Sequence, residues 1–274
     1  MRVIRERVRR VLHAVAPRAA VTLTSMRARA HTQRMVKEWG LYALNQRLLA
    51  EAGHRVLAGP FAGMVLSPMT HAEHVGPWLL GTYEAELHPW LDELLRMDFA
   101  QVVDVGAKIG YYAVGLARRY PDTPVVAFDT DPWARAAVRE MAAANGTPGV
   151  EVRGFCGPEW LDAGLRGRAL VISDCEGYER DLFTASRAPA LDTATLLIEL
   201  HDDMAPGASQ AIESRFRDTH QVRRVRSHSD TATTAPPPAG TSLTPEELNR
   251  LAHEVRPPQE WVLLTPKQTA PGPT

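Results

Sequence analysis

A strand that runs into a glycine turn and then a helix constrains this chain more than any other stretch. Residues 101–105 have the apolar character of a buried strand, and residues 111–120 continue with helical spacing of apolar side chains. Gly106 and Gly110 lie in the turn between them. Glycine is needed where φ is positive or where a ligand approaches too closely for a Cβ. The unit therefore predicts an α/β sheet that presents backbone N–H groups and a helix N-terminus to a ligand.

A second predicted strand, residues 124–128, is followed directly by Asp129, which lies 25 residues after Asp104. That separation suits an acid that binds the hydroxyl groups of a ribose. Gly106 and Gly110 lack the middle glycine of the dinucleotide fingerprint, which disfavours a pyrophosphate on the turn. The carboxylate of Asp104 suits the ammonium group of a cofactor with an amino-acid end, and S-adenosylmethionine combines adenine, ribose and such an end. The alternative is a sheet turn that binds no ligand.

The composition is typical of a globular protein in a reducing compartment. Of 274 residues, 45% are hydrophobic and 23% charged, and the net charge of −1 gives no general reason to expect nucleic acid as a partner. Cys156 and Cys175 are too few for a disulfide framework. No apolar run approaches the ~18 residues of a membrane span, and no signal-peptide core is present. We therefore expect a cytoplasmic protein.

Positive charge is concentrated in the first 37 residues, where Glu6 is the sole acid. Residues 2–16 place apolar side chains on one helical face and arginines on the other, and Pro17 is expected to end this helix. Such a helix can lie on the inner face of an anionic membrane. It can equally pack on the domain or on a second subunit, which is the simpler interpretation.

The rest of the N-terminal region predicts a helix and a turn. Residues 26–52 predict a helix stopped by Gly53, and residues 55–67 predict a hairpin closed around Gly59 and Pro60. The expected organisation is an N-terminal extension, a cofactor-binding domain, a loop-and-helix insertion within it and a disordered tail, at residues 1–80, 81–265, 227–258 and 266–274 respectively.

Strands and helices alternate through the central part of the chain, which predicts a parallel sheet with helices on both faces. The predicted strands are residues 101–105, 124–128, 149–153, 169–173 and 194–199, followed by 220–225 and 260–265. The predicted helices are residues 110–119, 132–144, 158–165, a short one after Tyr178, 206–217, and one that starts at Thr244 with a capping box closed by Glu247. Ligands of such sheets bind beyond the carboxyl ends of the strands.

Several of these strand-end motifs resemble the FkbM family of S-adenosylmethionine-dependent methyltransferases. The matching stretches are residues 81–84, 104–110, 127–132, 171–179 and 197–201. The resemblance implies a Rossmann-like class I methyltransferase fold, with a seven-stranded, mostly parallel sheet and a C-terminal antiparallel hairpin. It also implies methyl transfer, most often to a hydroxyl of a sugar, glycolipid or secondary metabolite. The chain departs from the family at Lys108, where asparagine is common, and at Asp129, where glutamate is commoner.

The strand ends and the resemblance together define an expected cofactor site. Tyr83 and Glu84 are expected at the methionine end, although Tyr83 could instead only pack the following helix onto the sheet. Cys156 is expected near the adenine, or only as a small filler. The predicted cofactor-binding residues are Tyr83, Glu84, Asp104, Gly106, Ala107, Lys108, Gly110, Asp129, Thr130, Phe155, Cys156 and Asp174.

A hydroxyl acceptor must lose its proton, and Asp174, His201 and Glu176 are the candidate catalytic bases. A free histidine is largely neutral at pH 7, so His201 ranks with Asp174, and Glu176 is third. The alternatives are that Asp174 caps a turn, Glu176 pairs with an arginine and His201 is a core polar group. No metal is expected, although Asp174 with Asp202 or Asp203 would offer oxygen ligands.

The preferred interpretation is an O-methyltransferase with a small-molecule or glycan acceptor. A nucleic-acid methyltransferase is disfavoured, because residues 173–178 lack the Asn-Pro-Pro-aromatic run typical of enzymes that methylate flipped bases. A non-catalytic cofactor-binding scaffold, recruited through its basic N-terminal helix, is a further alternative. A nicotinamide oxidoreductase is disfavoured by the glycine pattern. Glu254 and Arg256 are expected to form a structural ion pair rather than to face the acceptor.

Overall fold

The computed structural model describes residues 15–227, 241–256 and 258–267, and its centre is a seven-stranded sheet of order β3-β2-β1-β4-β5-β7-β6. β1 to β5 are parallel, and β7 pairs antiparallel with both β5 and β6. The predicted Rossmann-like methyltransferase fold with a C-terminal antiparallel hairpin is thereby confirmed. The strands are Gln101–Val105 (β1), Val125–Phe128 (β2), Glu151–Arg153 (β3), Ala169–Ser173 (β4), Thr195–Leu200 (β5), His220–Arg226 (β6) and Glu260–Pro266 (β7).

The helices agree with the predicted central helices to within two residues at each end. The capping box of Thr244 and Glu247 is present at the start of the helix that precedes β7. The helices are Pro17–Glu38 (α1), Leu41–Ala52 (α2), Gly76–Leu80 (α3), His88–Leu94 (α4), Tyr111–Arg119 (α5), Pro132–Ala144 (α6), Pro158–Gly164 (α7), Glu179–Ala185 (α8), Ala208–Phe216 (α9) and Pro245–Ala252 (α10).

Both faces of the sheet are covered, and alternate residues of each strand pack on opposite sides. On β1, Val102 belongs to one buried cluster and Val103 to the other, and Leu170 and Val171 divide β4 in the same way. This is the two-residue period of a strand, and burial on both faces explains the continuous apolar runs of the sequence. Residues from α2, α3, α5, α6 and α10 join the first cluster, and residues from α7, α8 and α9 join the second.

The N-terminal helices differ from the prediction. α1 begins at Pro17, nine residues before the predicted start at residue 26. Proline is tolerated there because its missing N–H would have no partner within the helix. The helix that Pro17 was expected to end lies almost wholly outside the described residues. The single helix expected over residues 26–52 is broken at Gly40, whose φ of 64° is left-handed, and α2 begins at the next residue.

Residues 55–67 form the expected hairpin in a short version, with one bridge between Arg55 and Val65 and no regular strand. Val56 donates its N–H across the turn to the carbonyl oxygen of Met64 at 2.8 Å. Leu57, the next residue, donates its N–H to the carbonyl oxygen of Leu79 at 2.8 Å, which attaches the hairpin to α3.

Three predictions lie mostly outside the described residues: the helix over 2–16, the loop over 227–242 and the tail over 266–274. β7 itself continues to Pro266, one residue into the predicted tail. Of the helices that the structure describes, none combines the length and the apolar character needed to cross a bilayer.

Candidate functional site

The turn between β1 and α5 is locked against the end of β4. Gly106 has a φ of 93°, and a Cβ placed on it would lie 1.7 Å from the carbonyl oxygen of Asp174. A side chain is therefore sterically impossible at this position without movement of the backbone. Gly110, with a φ of 88°, provides the left-handed residue that precedes α5. The two glycines that the sequence singled out thus both have a structural requirement.

The N–H groups of this turn already have partners inside the protein. Those of Gly106 and Ala107 donate to a carbonyl oxygen at the end of β2, and that of Gly110 donates to the carbonyl oxygen of Ala107. Lys108, at a φ of 48°, donates its N–H to Asp129 Oδ2 at 2.9 Å. A pyrophosphate at the turn would find these donors engaged, which agrees with the absence of the dinucleotide fingerprint.

Asp104 and Asp129 are buried acids that accept backbone N–H groups. Asp104 Oδ2 accepts from Ala113 at 3.0 Å, in the first turn of α5, where helix N–H groups lack intrahelical partners. Asp129 Oδ1 accepts from Asp131 at 2.8 Å. Burial raises the pKa of Asp104 to about 7 and that of Asp129 to about 6. Both side chains therefore hold the turn in place, in addition to the cofactor contacts expected of them.

An apolar groove runs beside the turn, at the carboxyl ends of β1, β2 and β3. The rings of Phe155 and Tyr178 are 5.1 Å apart in it. Five of the predicted cofactor-binding residues line the groove: Gly106, Asp129, Thr130, Phe155 and Cys156. The other lining residues are Val21, Ser25, Val105, Phe128, Gly154, Cys175 and Tyr178. Its aromatic and apolar lining is of the type that contacts the flat face of an adenine, but its cavity volume of about 20 Å³ holds little more than one water molecule.

Helix α1 forms one wall of this groove through Val21 and Ser25, a contribution that the sequence analysis missed. Farther along α1, Arg29 Nε lies 3.0 Å from Asp131 Oδ2, and its guanidinium lies 4.7 Å from the ring centroid of Trp133. Basic residues of the N-terminal region thus serve to attach α1 over the sheet edge.

Tyr83 and Lys108 lie close to aromatic rings. The ring of Tyr83 is 5.8 Å from that of Trp78 and 5.3 Å from that of Tyr111, both edge to face. Lys108 Nζ lies 5.4 Å from the ring centroid of Trp78. These contacts agree with the packing role considered for Tyr83.

Arg256 lies among carboxylates from distant parts of the chain. Its guanidinium contacts Glu199 Oε1 at 2.5 Å, Glu254 Oε2 at 2.7 Å and Glu84 Oε1 at 3.3 Å. The expected pair of Glu254 and Arg256 is confirmed as one part of this cluster. Glu84 also accepts a hydrogen bond from the hydroxyl of Tyr112. Burial raises the pKa of Glu84 to about 8, although Arg256 acts in the opposite direction.

A second cluster surrounds His201 at the end of β5. His201 Nδ1 lies 3.0 Å from Glu179 Oε1, and Nε2 lies 3.6 Å from Asp174 Oδ1 and 3.5 Å from Glu199 Oε2. Burial alone would lower the pKa of His201, but these carboxylates outweigh it and raise the pKa well above the usual value. The premise that His201 is neutral at pH 7 therefore fails in this environment.

Asp174 and Glu176 are the accessible acids beside this cluster. The side chain of Asp174 is 31% exposed, compared with 2% for His201, and Glu176 is half-buried. Burial and the nearby carboxylate of Asp174 raise the pKa of Glu176 to about 7. Asp202 and Asp203 are exposed, and Asp202 accepts a hydrogen bond from Ser209, so the cluster is completed by Glu179 rather than by these two acids.

Glu179 and Glu199 were not among the predicted site residues. Glu199 lies in β5, two residues before His201, which directly follows the strand, and strand alternation places residues at this spacing on one side of the sheet. Glu179 is the first residue of α8, and its Oε1 accepts the N–H of Cys175 at 2.8 Å. Glu199 could have been found from its spacing, whereas Glu179 needed the path of the turn after β4.

We expect the folded state to lose stability as the pH rises from about 5 to about 8. Asp104, Asp129 and Glu84 have pKa values of about 7, 6 and 8, raised by burial. Between the unfolded and folded pKa values, the folded chain holds protons that the unfolded chain has released, so each acid destabilises the fold progressively as the pH increases. Urea unfolding followed by circular dichroism at several pH values measures this.

Asp104→Asn provides the control for that measurement. An amide oxygen can still accept from Ala113 but carries no titratable proton, so the variant should show a shallower decline than the wild type. Asp129 and Asp174 are the carboxylates whose charges add to the pKa increase of Asp104. A wild-type stability that stays level or increases over this pH range would contradict the prediction.

No family model matches the chain. Over 104 residues it is 38% identical to the release factor glutamine methyltransferase of Deinococcus radiodurans, a match that covers 38% of this chain and 34% of that protein. The chain thus spans about a third of the length of this curated relative.

Two solved methyltransferase structures are similar at a lower level. One is the O-methyltransferase TomG from Streptomyces achromogenes in complex with SAM, with 16% identity, a TM-score of 0.42, and coverage of 68% of this chain and 81% of that chain. The other is the precorrin-6y C5,15-methyltransferase from Geobacter metallireducens GS-15, with 14% identity, a TM-score of 0.42, and coverage of 63% and 82%. Identities and TM-scores this low do not identify the fold, which is instead established by the strand order of the sheet.

Proposed function

We propose that this chain is an S-adenosylmethionine-dependent methyltransferase that methylates a hydroxyl of a glycan, glycolipid or secondary metabolite. The observation that carries the proposal is the charge of the sheet edge beside the glycine turn. Six carboxyl groups surround the two cations of Arg256 and His201 there, and they belong to Glu84, Asp174, Glu176, Glu179, Glu199 and Glu254. Such an edge attracts a cofactor with ammonium and sulfonium groups and repels a pyrophosphate.

The residues present fit each part of this cofactor. The apolar surface of Phe155 and Cys156 suits the face of an adenine once the groove widens, and Asp129 at the end of β2 suits the ribose hydroxyls. The acidic strand ends around Asp174 and Glu84 suit the positively charged methionine end. The family resemblance of the strand-end motifs and the similarity to a curated methyltransferase point in the same direction.

The reaction has simple requirements of the protein. When bound, S-adenosylmethionine supplies a methyl group whose bond to sulfur breaks, with the electron pair left on sulfur, as the bond to the acceptor oxygen forms. Asp174 and Glu176 are the accessible carboxylates that can take the hydroxyl proton. His201 is too deeply buried to touch an acceptor. Holding the reacting groups in line is worth effective molarities on the order of 10⁵–10⁸ M.

A side-chain amide of a protein is the second candidate acceptor, and the similarity to a release factor glutamine methyltransferase favours it. The product distinguishes the two acceptors. Labelled methyl recovered on a glycan or small molecule supports the hydroxyl acceptor, whereas label recovered as a methylated glutamine in protein supports the amide. A folded protein that binds the cofactor but labels neither would favour the scaffold interpretation.

The first test is calorimetric titration of the purified chain with S-adenosylmethionine, S-adenosylhomocysteine and NAD. We expect affinity on the order of micromolar for the first two ligands and none for NAD. Asp129→Ala should weaken binding at least about tenfold, because a buried acceptor for the ribose hydroxyls is lost. Asp129→Asn, which keeps one acceptor oxygen, should lose less.

Asp122→Ala is the matched control, since Asp122 is an exposed acid of the loop before β2. It should bind as the wild type does. Circular dichroism of every variant guards against loss of fold, because Asp129 also accepts the N–H groups of Lys108 and Asp131. NAD binding, or a well-folded wild type that binds neither methyl-donor ligand, would overturn the proposal.

A further inference from the structure

His201, Glu179 and Asp174 come together from β5, α8 and the end of β4. One nitrogen or oxygen atom from each lies within 4.8 Å of the corresponding atoms of the other two. Ligand atoms of a divalent metal each lie about 2.0–2.3 Å from the ion, so they are closer to one another than these three atoms are. Modest movement of the side chains would bring the three atoms to such distances. The geometry is therefore that of a site that would close around a small cation.

Polar atoms of this cluster are buried and unsatisfied. His201 Nδ1 and Glu179 Oε1 are 3.0 Å apart, but the contact lacks hydrogen-bond geometry. Within the described ranges, His201 Nδ1, Glu179 Oε2 and Asp174 Oδ1 are all buried without a hydrogen-bond partner. His201 and Glu179 are 1% and 0% exposed, respectively. Buried polar groups are nearly always satisfied in folded proteins, so three such atoms within one cluster indicate a missing ligand.

The charges of the surroundings favour a cation as that ligand. Glu199 and Glu176 add two more carboxylates beside the three residues, whereas Arg256 contacts only Glu199 among these acids. A buried charge is costly unless it is paired or coordinates a metal. One imidazole cannot neutralise this number of carboxylates, whereas an added dication would.

We propose that Asp174, Glu179 and His201 bind a divalent first-row transition-metal ion. One imidazole nitrogen with two carboxylate oxygens suits Mn²⁺, Fe²⁺ or Zn²⁺ better than Mg²⁺ or Ca²⁺, which prefer oxygen ligands alone. Asp174 is the ligand nearest solvent, so the open coordination positions face the accessible side of the cluster. Resting on the proposed function, that side is where an acceptor hydroxyl would meet the ion, with Glu176 left to take its proton.

The test is metal titration of chelator-treated, untagged protein, with Mn²⁺ and Zn²⁺ in separate calorimetric experiments. We expect one ion per chain, and loss of the signal of free Mn²⁺ in electron paramagnetic resonance as the ion binds. Asp174→Asn and Glu179→Gln should each weaken binding at least about tenfold, because each removes a charged ligand atom. Asp203→Asn, at an exposed acid near the same strand end, should leave the affinity unchanged.

Asp174→Asn decides the outcome if Glu179→Gln fails to fold, because the side chain of Asp174 is partly exposed. Folded wild-type protein that binds neither ion, or affinity unchanged in Asp174→Asn, would overturn the metal site. Titration with S-adenosylmethionine on the same metal-free sample separates the two proposals. Cofactor binding without metal binding would support the proposed function and overturn the metal site. Metal binding without cofactor binding would support the metal site and overturn the proposed function.

Discussion

Gly106→Ala is expected to remove most of the folding free energy of this protein. The new methyl group would lie 1.7 Å from the carbonyl oxygen of Asp174, and a φ of 93° is itself unfavourable for alanine. The obstacle is backbone of a neighbouring strand end, so no side-chain rotation relieves it. We expect the free energy of unfolding to decrease by more than about 4 kcal/mol. Few single substitutions cost this much, and the loss is comparable with the whole stability of many domains. Urea unfolding measures the loss, or expression yields only unfolded chain.

Gly146→Ala is the matched control for this substitution. Gly146 also has a positive φ, 66°, but no atom lies within 4 Å of the position of an added Cβ. The variant should lose only the conformational cost of a left-handed alanine, about 1–2 kcal/mol. Equal losses in the two variants would show that close packing against Asp174 contributes nothing, and would contradict the prediction.

Arg256→Met should produce the second large effect, a loss of about 3–5 kcal/mol in the free energy of unfolding. Removal of one partner from a buried ion pair leaves the opposite charge uncompensated, and here Glu84, Glu199 and Glu254 lose their shared partner together. Methionine keeps much of the length and apolar contact of the arginine, so the loss reports mainly on charge. Urea unfolding at pH 9, where Glu84 with its pKa of about 8 is mostly ionised, is the measurement.

Arg223→Met is the appropriate control for Arg256→Met. Arg223 forms a pair with Glu93 at 2.6 Å, but both side chains are more than 40% exposed. Surface pairs of this kind contribute about 0–1 kcal/mol. If the two arginine variants lost the same amount of stability, the carboxylates around Arg256 would not be acting as buried charges.

The strand positions and helix starts of the central part were readable from sequence because each local signal agreed with the global fold. Both-face burial makes the strands continuous apolar runs, and Asp131 with Pro132 marks the start of α6 by a cap and a first-turn proline. The start of α1 was misread because proline both ends and begins helices, and no residue between 18 and 25 breaks the helix.

The candidate site was readable only in part. Residues at strand ends, such as Asp104, Asp129 and Asp174, follow from topology, since parallel strands bring their carboxyl ends to one edge. Contacts from distant segments do not follow from it: α1 reaches the groove with Val21, and Arg256 reaches Glu84 from the other end of the chain. Such contacts depend on how the helices pack over the edge, which local patterns do not encode.

The two outer strands of the sheet also decide how the protein behaves toward other copies of itself. An open strand edge is a template on which another chain can add its own strand. β3 exposes an edge of only three residues, Glu151–Arg153, with a charge at either end. β6 carries Arg223, Arg224 and Arg226, all exposed. The short length of β3 and the repeated arginines of β6 both discourage another chain from adding a strand at these edges. The protein is therefore protected against aggregation that grows strand by strand.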